Sequence, residues 1–358
     1  MKHPFVFITI ILILISSLVY AAPTTSAPAP AGPQQRLVKI SENVYTYIFR
    51  QGVQRNSMFI ITKRGVIVFE PFNSDHSKLL LAAIRSVTQK PIKFLLISHN
   101  HYDHANGGKV FKDEGATVIA HEEAVDWMKA NPHPDLYIPD RTWTGTKCTI
   151  RLGGAKVDFH YFGINHGNGN TVFVYKPPRS QSRAKRNATS SQSKSENIAF
   201  MADLVTPNQV FFSNAPDYNM KETVRTLREI LKLDFEKAVF SHSARGDLSA
   251  DGSKQDIRDL LQYAADLKEG VEKLFAEGKF PITNPELLQL PQYKHLARYD
   301  TDFSRNVLKF SIESFIGPYP WRNVDKYMKP RQSRPRYGRR YWGRSNPTQP
   351  NNWNRYSL

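Results

Sequence analysis

Four strong metal-ligand side chains fall within six residues of one short segment, in the order His-x-His-x-Asp-His. Residues 91–97, which precede this segment, form an apolar run that predicts a buried strand, so the ligands would lie on the loop past its end. Imidazole and carboxylate groups at this density suit zinc or another borderline divalent ion. Four ligands this close leave little room for further partners on a single ion, so the spacing indicates two adjacent ions. The four are His99, His101, Asp103 and His104.

Three more ligand-type residues occur later in the chain, each just past an apolar run. They are His166 in the Gly- and Asn-rich segment 163–170, Asp203 after residues 200–202, and His242 after residues 239–241. Taken with the His-rich segment and in this chain order, residues 36–250 resemble the metallo-β-lactamase superfamily of metal-dependent hydrolases. The resemblance implies an α/β fold, an αββα metallo-β-lactamase-like sandwich, whose ligands gather on loops at one edge of two packed sheets.

The resemblance also implies a role for each ligand. Two divalent ions, with zinc expected, would be the cofactors, and Asp203 would bridge them. This set resembles the glyoxalase and lactonase branches and differs from β-lactamases that use a cysteine ligand. The first ion would be held by His99, His101 and His166, and the second by Asp103, His104 and His242.

Two ions about 3.5–4 Å apart can share a water and lower its pKa toward neutrality. The hydroxide would attack an ester, thioester or lactone, with Asp103 orienting it as the catalytic residue. One alternative is a β-lactamase-like amide hydrolase or a phosphodiesterase. Another, from a different class, is a secreted metal-binding or matrix-interaction protein that acts through its basic tail.

Several residues near the predicted ligands have an open interpretation. Asn106, Asn168 and Asn170 are candidates to orient the imidazoles, but each neighbours glycine and equally suits a turn. Glu70 stands where many relatives have Asp, which would change the support of a ligand histidine or only local hydrogen bonding. His121 lies between a predicted strand and a predicted helix and is expected to cap or pack.

The N-terminus has the pattern of a secretory signal peptide over residues 1–21. Its apolar run, residues 5–20, is short for a membrane span, which needs about 20 residues. Residues 22–35 are rich in Pro, Ala and Thr and predict a flexible linker. We therefore expect a secreted or extracytoplasmic protein; an uncleaved membrane anchor is the alternative.

The formal net charge of +17 is concentrated in two segments. Residues 176–197 are basic and consist mainly of Ser, Arg, Lys, Pro and Asn, and the tail 319–358 is dominated by Arg, Tyr, Trp, Pro and Asn, so both are predicted to be disordered. The insertion contains a glycosylation acceptor pattern at Asn187. Because the remaining body is nearly neutral, the charge argues against nucleic acid as a partner and leaves contact of the tail with acidic polysaccharide or a cell surface. Cys148 is the single cysteine, so no intrachain disulfide can form.

The remaining periodicity completes the domain prediction. Residues 251–318 predict a helical C-terminal extension that follows the catalytic domain, with a long amphipathic helix over 253–275. A helix is expected over 105–114, and the Pro-rich segment 131–147 is expected to form a flap or wall of the active-site cleft. Specificity for a small-molecule substrate is expected to lie in that segment and in the later helices.

Overall fold

The computed structural model describes residues 32–178 and 196–317. The predicted signal peptide, most of the linker, the inner part of the basic insertion with Asn187, and the tail 319–358 lie outside them. From Pro33 onward the described residues form one compact unit. The strands are β1 Gln34–Ser41, β2 Val44–Gln51, β3 Val53–Thr62, β4 Gly65–Phe69, β5 Ile92–Leu96, β6 Thr117–His121, β7 Arg141–Trp143, β8 Lys147–Leu152, β9 Ala155–Tyr161, β10 Thr171–Lys176, β11 Ile198–Met201 and β12 Lys237–Phe240; the helices are α1 Ser74–Val87, α2 Tyr102–Ala105, α3 Gly108–Asp113, α4 Glu122–Ala130, α5 Met220–Leu231, α6 Lys254–Ala276 and α7 Tyr299–Phe315.

The strands form two mixed sheets. The first has seven strands in the order β1-β2-β3-β4-β5-β6-β7, antiparallel up to β4 and parallel from β4 to β7. The second has five strands in the order β12-β11-β10-β9-β8, and only β11 and β12 are parallel. The sandwich expected from the sequence resemblance is confirmed.

The strand β4 illustrates how the sequence divides its side chains between two layers. All five of its residues are buried, but alternate side chains point to opposite faces of the sheet. Ile67 and Phe69 join the core between the sheets, whereas Val66 and Val68 pack under α1, α3 and α4. A strand covered on both faces is apolar throughout, which is why period-two alternation is missing from this stretch.

Between the sheets, the contact is largely aromatic. The ring of Phe69 lies 5.4 Å from that of Phe173, which in turn lies 5.0 Å from Phe159. Such edge-to-face pairs add stabilisation beyond the burial of their area. Trp143 of β7 is 4% exposed and belongs to the same core. These contacts therefore hold the two sheets at a fixed separation.

The helix expected over 105–114 is divided in the structure. A short helix α2 carries two of the predicted ligands, and α3 begins only at Gly108. Gly107 separates them with a φ of +79°, a conformation that favours glycine. The break lets the chain leave the ligand loop in a new direction.

Segment 131–147 is held against the backbone that follows the ligand loop, and its predicted role beside the active-site cleft stays a prediction. The amide of Gly107 donates to the carbonyl of Asp135 at 2.8 Å, and a β-bridge joins Asn106 to Leu136. The segment ends in β7, which pairs with β6 and inserts Trp143 into the core. The sequence showed too little periodicity to reveal a strand of three residues.

The C-terminal region is helical, as expected, and it is integrated with the sandwich. Helix α6 packs with α5, α7 and the outer face of the second sheet in one core that includes Leu260, Leu267 and Met201. The expected boundary at residue 250 thus falls inside this outer layer. Two 3-10 turns, Pro285–Leu287 and Pro291–Tyr293, precede α7. Among the described helices, none is both long and apolar enough for a membrane crossing.

The boundary at the N-terminus also differs slightly from expectation. Strand β1 begins at Gln34, so the last two residues of the predicted linker belong to a strand. Their side chains take part: the amide oxygen of Gln35 accepts from the Tyr47 hydroxyl at 2.8 Å. Alternation along β1 is poor because this edge strand is largely half-buried or exposed.

Replacing Gly107 by alanine should destabilise the protein. An added Cβ would overlap the backbone of Asn73 and Ser74, whereas one at Gly115, with a φ of +86°, would meet open space. We expect Gly115→Ala to cost about 1–2 kcal/mol for its left-handed backbone, and Gly107→Ala about 1–3 kcal/mol more for the overlap. Chemical denaturation of chelator-treated protein measures both; equal losses would contradict this packing.

Candidate metal centre

The His-rich loop begins where β5 ends at the rim of the first sheet. Ser98 orients His99, because its Oγ lies 2.8 Å from His99 Nδ1. His101 is the residue before α2, and Asp103 and His104 occupy that helix's only turn. An extended loop followed by one helical turn can direct all four side chains to one side of the rim.

The structure brings all seven predicted ligands together. Their ligand atoms form two groups, each with all members within 4.8 Å of one another, and Asp203 belongs to both. A third group of the same kind joins Glu70 to His99 and His104. The first group is His99, His101, His166 and Asp203; the second is Asp103, His104, Asp203 and His242.

Asp203 lies at the centre of this arrangement. Its Oδ2 is 3.1 Å from Nε2 of both His104 and His166, and its Oδ1 is 3.2 Å from His242 Nε2. The Ser241 hydroxyl donates to Oδ1 at 3.0 Å. The backbone at Asp203 has a φ of +57°, which is uncommon for a residue with a side chain. A carboxylate in this position can face both groups of imidazoles.

The donor atoms fit a divalent cation. His99 Nε2 and His166 Nδ1 are buried without a hydrogen-bond partner among the described residues, and His166 Nε2 faces only the Asp203 carboxylate at 3.1 Å. Unsatisfied buried groups are costly, and a cation would satisfy them. His104 Nε2 and His242 Nε2 also face each other at 3.2 Å. Burial lowers the pKa of His99 and of His166, which favours the neutral imidazole that a metal needs.

Glu70 holds one of these imidazoles from behind. It is fully buried, accepts from the amide of Ser98 at 2.7 Å, and lies 2.5 Å from His104 Nδ1. Its backbone has a φ of +63°, and its carbonyl accepts from Ser57 Oγ at 2.6 Å. The contact leaves His104 Nε2 directed at Asp203. Glu70 therefore supports a candidate ligand, which is one of the two roles that the sequence left open for it.

Asp217 supports His101 in the same way as Glu70 supports His104, and the sequence analysis did not identify it. Its Oδ1 lies 2.8 Å from His101 Nε2, while its Oδ2 accepts from Asn100 at 3.1 Å and Asn168 at 2.9 Å. Although burial raises its pKa, the bonds from His101 and Asn100 lower the pKa of Asp217 to about 2. With Nε2 engaged, His101 keeps Nδ1 for a metal. A Pro-Asp pair in an irregular segment offered only a turn signal.

The other polar candidates divide between support and local structure. Asn168 is a supporting residue, because it bonds Asp217 and its amide donates to Asn100 Oδ1 at 2.7 Å. Asn170 instead donates to the carbonyl of Ala202, and Asn106 approaches His133 behind the loop. His121 caps α4 by accepting from the amide of Glu123. The expectation of a capping role for His121 is therefore confirmed.

Removing the charge of Asp217 should weaken metal binding. In Asp217→Asn, His101 would lose the carboxylate that fixes its ring orientation, so we expect metal affinity to fall about 10–100-fold. Competition with a chromophoric chelator measures the affinity. Asp158→Asn is the control, because Asp158 is also largely buried but bonds Lys156 and Lys176 on the second sheet. An unchanged affinity in Asp217→Asn would contradict the support role.

Comparisons with known sequences agree with this geometry. Residues 50–179 match the sequence model described as the Metallo-beta-lactamase superfamily. The chain is 26% identical over 270 residues to 2,4-dinitroanisole O-demethylase subunit alpha of Nocardioides sp. (strain JS1661), covering 74% of this chain and 75% of that protein. It is 25% identical over 118 residues to Metallo-beta-lactamase IND-1 of Chryseobacterium indologenes, covering 33% of this chain and 48% of that one.

Solved structures share the fold. A metallo-beta-lactamase from Pontibacter korlensis superposes with a TM-score of 0.52 at 20% identity, over 64% of this chain and 99% of its own. VMB-1 gives a TM-score of 0.50 at 17% identity, over 65% of this chain and 97% of its own. The match over residues 50–179, the shared sandwich and the His/Asp cluster at its rim together show that the chain contains a metallo-beta-lactamase superfamily domain, a domain typical of hydrolytic metalloenzymes.

Proposed function

We propose that this protein is an exported hydrolase that uses two zinc ions to cleave an ester, a thioester or a lactone. The observation that carries the proposal is the pair of ligand groups that share one buried carboxylate, Asp203. Two groups joined in this way match the requirement of a two-metal site for a ligand common to both ions. The signal-peptide pattern of residues 1–21 supports export.

In this proposal, His99, His101 and His166 hold one ion, and Asp103, His104 and His242 hold the other. Bound divalent ions would supply Lewis acidity, which polarises the scissile carbonyl and lowers the pKa of the attacking water. Glu70 and Asp217 keep His104 and His101 in the orientation that binding needs, so the site is arranged before any ion arrives.

Asp103 has a distinct part in the proposed reaction. Its side chain is 60% exposed, whereas those of His104 and Asp203 are 0% and 10% exposed. Asp103 therefore faces the open side of the site, where substrate and water arrive. Its carboxylate can accept a hydrogen bond from the attacking water and orient it toward the carbonyl carbon.

The composition of the ligand set supports an oxygen ester, a thioester or a lactone over a β-lactam. A carboxylate, Asp203, stands where some β-lactamases have a cysteine ligand. The single cysteine, Cys148, lies in β8 and packs against the core between the sheets, and burial raises its pKa to about 11. A thiol with this pKa stays protonated at neutral pH and is a poor metal ligand.

A second candidate is the removal of a methyl group from an activated aryl ether. It is favoured by the alignment with the O-demethylase subunit, which covers three quarters of each chain. The same ligand set could serve this reaction, because water would again be the nucleophile and a phenolate the leaving group. The two candidates differ in the bond that is cleaved, so products distinguish them.

Loss of a single ligand should abolish turnover without unfolding the protein. For His101→Ala and Asp203→Ala we expect activity to fall by at least about a thousandfold, with a native circular dichroism spectrum and reduced metal content. His295→Ala is the control, since that exposed histidine bonds only a nearby carbonyl. Wild-type rates in either ligand variant would refute the metal assignment.

A substrate panel should select among the candidate bonds. Mature protein with its metal content measured would be given an aryl ester, a thioester, a lactone, a cephalosporin, a phosphodiester and 2,4-dinitroanisole. We expect turnover of the first three, and its loss on chelation with recovery on adding zinc. Release of 2,4-dinitrophenol alone would instead establish the aryl-ether candidate.

A further inference from the structure

An aromatic side chain extends the metal centre toward solvent. The ring of Phe212 lies nearly parallel to that of His166, with the ring centroids 6.4 Å apart at an interplanar angle of 29°. Phe212 is 38% exposed, which makes it one of the few large apolar side chains of the described residues that are open to water. An exposed phenyl ring beside a buried candidate ligand provides an apolar surface against which a second ring can pack.

A guanidinium group lies over the same ring. Arg298 places its Cζ 5.0 Å from the centroid of Phe212. Its backbone has a φ of +61°, and the neighbouring Ala297 is joined to the segment before Phe212 by two backbone hydrogen bonds, with Asn208 and Val210. The position of Arg298 is therefore fixed by backbone contacts, not only by its long side chain.

The charge around Arg298 is not balanced. Arg298 Nε donates to Asp302, and Arg305 also donates to Asp302 at 3.0 Å. Asp302 is fully buried, so a single carboxylate is shared by two guanidinium groups and one positive charge remains. Neither Nη atom of Arg298 has a hydrogen-bond partner within residues 32–178 and 196–317. These N–H groups are available to a ligand.

We propose that Phe212 and Arg298 form a substrate subsite for an aromatic ring that carries an anionic group, such as a carboxylate. The ring would pack against the exposed part of Phe212, and the anion would accept hydrogen bonds from the free Nη groups of Arg298, in the geometry that guanidinium offers to carboxylates. Because the ring of Phe212 lies 6.4 Å from that of His166, the other end of such a substrate would be directed toward the metal centre. This inference rests on the proposed function and narrows its substrate to aryl esters with a negative charge.

The test compares two esters that differ only in charge, phenyl acetate and 4-carboxyphenyl acetate. For the metal-loaded wild-type protein we expect a KM about tenfold lower for the charged ester, because a hydrogen bond to a charged group is lost without it. In Arg298→Gln this preference should disappear, because the KM of the charged ester rises to that of phenyl acetate. Arg305→Gln is the matched control: it also loses one guanidinium from Asp302, but Arg305 faces Asn214 rather than Phe212.

A binding measurement separates this proposal from the proposed function. Calorimetric titration with 4-hydroxybenzoate and with phenol needs no turnover, and we expect tighter binding of the anion in wild type and in Arg305→Gln but not in Arg298→Gln. Arg298→Asn provides a second variant, since asparagine tolerates the left-handed backbone.

If both Arg298 variants still bind the anion more tightly than phenol, the metal ions bind the anion. If the wild-type protein binds both ligands equally, Arg298 only packs on Phe212. Either result overturns the subsite. Absence of ester turnover with the binding preference intact would instead overturn the proposed function alone.

Discussion

The candidate metal site depends on the contact between the buried carboxylate of Asp203 and the imidazoles around it. This carboxylate lies among His104, His166 and His242 at 3.1–3.2 Å, in a region where burial strongly disfavours an unpaired charge. Burial would raise its pKa, but the surrounding imidazoles hold the pKa of Asp203 well below its usual range. The same carboxylate raises the pKa of His104. Burial alone would lower the pKa of this imidazole, but the negative charges of Asp203 and Asp103 keep it well above its ordinary value. A cation that replaced these protons would satisfy the same nitrogens with stronger bonds.

The sandwich makes this concentration of polar groups feasible. The candidate ligands follow β5, β11 and β12 or precede β10, so each belongs to a loop at the same rim while the apolar strands remain in the core. Strain is located there as well. Glu70 and Asp203 both adopt a positive φ, and each such residue costs about 1–3 kcal/mol. The packed sheets on either side stabilise the protein enough to hold these conformations.

The sequence predicted the ligands more completely than it predicted their support. His99 to His104 lie in one segment, and His166, Asp203 and His242 each mark the end of an apolar run, so local pattern was sufficient to find them. Asp217, Phe212 and Arg298 lie in irregular segments, where neither period two nor period 3.6 assigns a direction to a side chain. Arg298 and Phe212 are also 86 positions apart in the sequence numbering, and they are brought together by the backbone contacts of Ala297 and by hydrogen bonds from α7 to the residues on either side of Phe212. The division of the helix at Gly107 and the short strand β7 were missed for a related reason, since both depend on contacts with distant backbone.

Asp217, Phe212 and Arg298, which the sequence did not reveal, bear on how a shared fold acquires specificity for its substrate. The Pontibacter korlensis structure is matched over 99% of its length by 64% of this chain, so the common sandwich accounts for much of the chain but not for all of it. A shared fold supplies the rim and its ligands, whereas substrate choice is decided by the groups around them. In the proposed subsite, two irregular stretches provide such groups: residues 205–219 contribute Phe212 and also Asp217, and the start of α7 contributes Arg298. Asp217 bonds a candidate ligand and lies five residues after Phe212, so under these two proposals a change in this loop would affect metal binding and substrate recognition together. That coupling constrains how the loop can vary while the metal centre is kept.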